Sequence, residues 1–117
     1  MPGKSPVSYY GGKSLLAGRI AGVIQSAQKE YNLAKYVECF AGGASVFWRL
    51  PADLFAGGVL NDLNAEVANF WRVLSNADTA ELLERQIELS LHSRHVYERS
   101  GLIYKHPHLF SEIERAW

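Results

Sequence analysis

The chain has a single cysteine, no excess charge of either sign and no long hydrophobic run, and each of these shortages removes a class of protein. With Cys39 alone, no internal disulfide can form, and a lone thiol in an apolar stretch reads as a small buried hydrophobe in a reducing cytoplasm. Twelve basic residues balance twelve acidic ones, so composition leaves no electrostatic footprint for nucleic acid, and any such role has to come from motifs. The apolar run Leu15-Leu16-Ala17 is broken by Arg19 and is far too short to span a membrane or act as an export signal. Repeats, low-complexity tracts and a Pro/Gly/Ser-rich linker are absent too. What remains is 117 residues, 48% of them hydrophobic, enough for one modest core.

Residues 1–12 read as an extended or looped lead-in, rich in Gly, Pro, Ser and Tyr. A helix is expected from about Lys13 or Ser14, with Leu15, Leu16, Ile20, Val23 and Ile24 on one side. Tyr36 to Phe40 is a short strand ending at glycines, and Ala44 to Leu50 reads as helix, stopped by Pro51. Gly58 to Asn61 is a second strand and Ala65 to Leu74 a second helix. Strand, helix, strand, helix implies a parallel, doubly wound α/β sheet, in which ligands bind beyond the carboxyl ends of the strands. From residue 77 the chain reads as helical. Asp78 and Glu81 have capping-box spacing, Leu82, Leu83, Ile87 and Leu91 form a stripe, and further helices run about Arg94 to Tyr104 and Leu109 to Trp117. The division expected is therefore an α/β portion over residues 1–76 and a helical segment over 77–117. The last helix has no closing signal at Ala116-Trp117, which reads as a longer polypeptide cut short.

Three short segments carry the chemistry. Gly11-Gly12-Lys13-Ser14 looks like the end of a phosphate-binding loop, but Val7 stands where that motif needs its first glycine and no strand precedes it. Gly42-Gly43 follows a strand, where adjacent glycines let the backbone bend sharply and approach a ligand, and the Gly-x-Gly-x-x-Gly spacing that admits a pyrophosphate is absent. Asp62 stands about twenty residues after that turn, where nucleoside-binding α/β folds put a carboxylate on the ribose hydroxyls. Each has a plainer reading: a tight turn, a strand-to-helix joint, and a turn residue with Asn64 as the next N-cap. His92 with His95 and His106 with His108 lack the companions of a metal site, so no metal is expected. Phe47, Trp48, Phe70 and Trp71 read as core, and Arg94, Arg99 and Lys105 as a solvated face.

In order and spacing, Ser8-Tyr9-Tyr10-Gly11-Gly12-Lys13, Val37 to Phe47 and Leu60-Asn61-Asp62-Leu63-Asn64 closely resemble the N-terminal part of the Dam-like, D12 class of DNA adenine N6-methyltransferases. The likeness continues through Asn69 to Leu74 and, more weakly, Ile113 to Ala116. The resemblance implies an incomplete Rossmann-like α/β methyltransferase fold with S-adenosylmethionine as cofactor. It assigns Tyr9 and Lys13 to the methionine end, Lys13 near the carboxylate, places Phe40, Gly42 and Gly43 beneath the cofactor, and puts Asp62 on the ribose. Double-stranded DNA is the implied partner of the complete enzyme, which would be cytoplasmic and bacterial or phage-encoded, with no membrane role.

Cys39 and Ala44 depart from the family, which commonly has proline and glycine there. A larger departure is the missing Asp-Pro-Pro-Tyr motif, whose Asp and proline carbonyl hold the amine of a flipped adenine while the Tyr stacks on it. No catalytic residue is therefore expected in this chain, and transfer by it alone should be negligible. Two other readings stay open: a non-catalytic binding or interaction module, including half of a split enzyme completed by a C-terminal polypeptide, and an unrelated α/β nucleotide-binding protein.

Overall fold

The computed structural model describes residues 3–117, which form two compact units, one extending through Leu63 and one from Asn64 to Trp117. In the first, helix α1 (Ala17–Tyr31) is followed by strand β1 (Lys35–Glu38), a single 3-10 turn (Phe47–Arg49) and strand β2 (Gly57–Leu60). The second contains α2 (Ala65–Leu74), α3 (Ala77–Glu88), α4 (Arg94–Lys105), a 3-10 turn (Pro107–Leu109) and α5 (Glu112–Ala116).

Helix α1 starts later than Lys13 because residues 13–16 first close a separate turn, Leu16 N–H donating to the Lys13 carbonyl at 3.0 Å. Its buried side is Ala17 and Ala21, whereas Leu15, Leu16 and Val23 are exposed. The expected apolar face is thus rotated toward small residues, which let a helix approach its neighbour closely. Asn32 ends the helix in the left-handed region at φ 50°, a conformation that asparagine tolerates better than most residues.

Strands β1 and β2 pair in parallel, with Tyr36 opposite Gly58 and Val37 opposite Val59. The expected helix over Ala44 to Leu50 does not form. Ala44, its first residue, takes a positive φ of 50°, which a right-handed helix does not include, and Leu50, its last, is extended because it precedes Pro51. A 3-10 turn therefore replaces the crossover helix, and the doubly wound pattern reduces, among the described residues, to a two-stranded parallel sheet. Cys39 is exposed, contrary to the expectation from its apolar neighbours, because β1 ends at Glu38 and the chain then turns outward.

In the second unit, α2 has its expected bounds, and Asn64 caps it by accepting from the Glu66 N–H at 3.0 Å. The cap of α3 is Asn76, bonded to the amides of Asp78 and Thr79, so Asp78 lies in the first turn instead of capping it. Of the expected stripe, Leu83 is buried while Leu82, Ile87 and Leu91 are exposed, Leu91 beyond the helix end. The last helix begins at Glu112, since Pro107 starts a separate 3-10 turn. Buried Trp71, Val73, Leu83 and Ile103 make the apolar core. Beside them, buried Asn69 donates to the Glu112 carbonyl at 2.8 Å and accepts from Arg72 and Arg115. No helix among the described residues is long and apolar enough to cross a membrane.

Candidate functional site

The two strands end together because the backbone ladder runs past them. Asn61 N–H donates to the Glu38 carbonyl at 2.8 Å, and Ala41 N–H donates to the Asn61 carbonyl at 2.9 Å. One step further the ladder changes character, and the Gly42 N–H donates to the Asp62 carboxylate at 2.8 Å. The glycine turn and the acid twenty residues later are thus locked to each other at the carboxyl ends of both strands. A carboxylate has about four acceptor sites, so this bond is compatible with further donors such as ribose hydroxyls.

Gly42 is required there by shape. It sits at φ 47°, and a Cβ on it would meet the Tyr9 ring at 2.9 Å. At Gly43 a Cβ would meet the Val7 carbonyl at 3.2 Å and the Tyr9 Cβ at 3.3 Å. Ser5 fastens the lead-in to this turn by donating to the Gly43 carbonyl. The first glycine segment therefore packs on the second, with Tyr9 between them.

Lys13 bridges the same two segments, donating to the Phe40 carbonyl at 2.6 Å and lying 3.4 Å from the Glu38 carboxylate. Glu38 is only 6% exposed and needs such a partner. Its other oxygen accepts from the Tyr36 hydroxyl at 3.0 Å. Burial, and secondarily the Glu38 charge and hydrogen bond, push the Tyr36 phenol well above its ordinary range, so it stays a donor. The Phe40 ring is 78% exposed beside the turn, an apolar face presented to solvent.

Tyr9, Lys13, Phe40, Gly42, Gly43 and Asp62 all belong to the first unit and are tied through these contacts. Sequence reasoning passed over Glu38 and Ser5. The available signal for Glu38 was an acid closing a strand that runs straight into the glycine turn, since a carboxylate buried there demands a cation. Ser5 had no such signal. Among the described residues, no three His, Cys, Asp or Glu side chains converge to hold a metal ion.

A family model for the D12 class N6 adenine-specific DNA methyltransferases matches residues 9–115. The chain belongs to this family. Among curated proteins, the Type II methyltransferase M.MjaIII of Methanocaldococcus jannaschii is 31% identical over 79 residues, which cover 67% of this chain and 27% of that protein. The chain thus spans well under half the length of that relative. No solved structure matches it.

Proposed function

We propose that this chain is the S-adenosylmethionine-binding portion of a DNA adenine N6-methyltransferase with a Rossmann-like core. The observation that carries the reading is the Gly42–Asp62 bond at the strand ends, where an α/β sheet receives a nucleoside. S-adenosylmethionine would supply a methyl group activated on a sulfonium. The residues here would bind and orient it: Asp62 at the ribose hydroxyls, Phe40 against the adenine, and Gly42 and Gly43 as a floor without side chains. Tyr9 would buttress that floor, and Lys13 would hold the Phe40 carbonyl and the buried Glu38 in place.

The groups that would align an adenine amine are another matter. An exocyclic amine is a poor nucleophile, and no Asp-Pro-Pro-Tyr occurs in the sequence, so transfer by this chain alone would be negligible. Strand exposure supports completion by further polypeptide. Val37 and Val59 are paired neighbours on the sheet, yet each is more than half exposed, whereas parallel sheets are normally covered on both faces.

Titrating S-adenosylmethionine by calorimetry against wild type and Asp62→Ala tests the cofactor reading. Loss of a charge-assisted hydrogen bond should weaken binding about tenfold to a hundredfold. Equal affinity for both proteins removes the ribose assignment. Completion is tested by adding a family polypeptide that carries Asp-Pro-Pro-Tyr and measuring methylation of duplex DNA, which should appear only with both chains present.

A further inference from the structure

A cavity of about 310 Å³ lies beside the glycine turns, framed by Lys4, Ser8, Tyr9, Ser14, Ser45 and Arg49. Its lining contains two cations, several hydroxyls and no carboxylate. Neither Lys4 nor Arg49 forms an ion pair or side-chain hydrogen bond with the described residues. Arg49 is nevertheless half-buried, its guanidinium 3.9 Å from the position of a Cβ on Gly18 in the first turn of α1. A partly desolvated guanidinium without a counter-ion is costly, and it presents a planar fork matched to a carboxylate or phosphate.

We infer that this cavity receives the anionic amino-acid end of the methyl donor, with Arg49 as the principal carboxylate ligand and Lys4 as a second cation. The inference rests on the cofactor reading above. Two observations connect cavity and turn. Tyr9 lines the cavity while its ring lies against Gly42, so one side chain belongs to both places. Lys13, the other cation near the turn, is already held by Glu38 and the Phe40 carbonyl, whereas the two cations that line the cavity, Arg49 and Lys4, have no such partner among the described residues. At about 310 Å³ the space stands at the small end of ligand pockets and suits part of a ligand, with the remainder lying over the strand ends.

The test compares S-adenosylhomocysteine with 5′-methylthioadenosine, which keeps the nucleoside and thioether but has no amino-acid end. Both are titrated against wild type, Arg49→Gln and Arg49→Lys, with circular dichroism and thermal melting to check that each variant folds. Arg49→Gln should weaken S-adenosylhomocysteine at least tenfold and leave 5′-methylthioadenosine unchanged, and Arg49→Lys should fall between, keeping the charge without the fork. Equal effects on the two ligands, or none on either, overturn the inference while leaving the cofactor reading standing. Failure of wild type to bind either ligand removes both. A weakened short duplex DNA with S-adenosylhomocysteine unaffected also overturns it, and marks the cavity as a site for a backbone phosphate.

Discussion

Gly42 shows how one residue can serve shape and chemistry together. Its φ of 47° and the 2.9 Å approach of the Tyr9 ring leave no space for a Cβ, while its amide reaches Asp62. Gly42→Ala should lower stability by about 1–3 kcal/mol through left-handed strain and displacement of Tyr9, read as a reduced urea midpoint with unchanged slope. The neighbouring Ala44 already tolerates φ 50°, so a measured cost near zero at Gly42 would mean that Tyr9 yields readily. Much of this was legible: adjacent glycines after a strand announce a close approach. That the approaching group is Tyr9, from more than thirty residues earlier, was not, because nothing local in the lead-in encodes it.

Helix ends follow local chemistry more closely. Asn64, Asn76, Ser93 and Ser111 each accept from amides of the first turn that follows, and α5 has a full capping box with Glu114 returning to the Ser111 amide. Removing the hydroxyl in Ser111→Ala should cost about 1 kcal/mol, measured by chemical denaturation. Hydrogen bonds from the Ser111 amide and hydroxyl, followed by Arg99, hold the Glu114 carboxyl below its ordinary range. A carboxylate whose pKa is lower folded than unfolded adds stability that is complete above its unfolded value, roughly pH 4.3, and is lost as pH falls through the folded one. The denaturation midpoint of wild type should therefore drop more steeply than that of Glu114→Gln as pH is lowered below about 4.3. Where helix expectations failed, as at Ala44 to Leu50, a left-handed Ala44 at its start and the extended residue before Pro51 at its end left room only for a 3-10 turn, overriding an apolar pattern that otherwise favoured helix.

At the scale of the whole chain, charge and coverage govern what it can do unaided. With a formal net charge of zero, it should hold duplex DNA weakly and with a shallow salt dependence, seen as little change in fluorescence anisotropy between 50 and 200 mM salt at micromolar protein (order-of-magnitude conditions, about those that separate phosphate-driven binders). A steep slope would instead point to a basic surface that the balanced composition conceals. The sequence by itself determined the two short strands, the bounds of α2 with its cap at Asn64, and three motifs specific enough to identify the family, because each depends on residues close together in the chain. Tertiary structure alone decided which faces are buried, that Lys13 answers the buried Glu38, that Gly42 is tied to Asp62, and that Arg49 stands unpaired beside Lys4. Those outcomes depend on groups brought together from distant positions, where the burial of a charge or the approach of a ring depends on neighbours that local propensity does not specify.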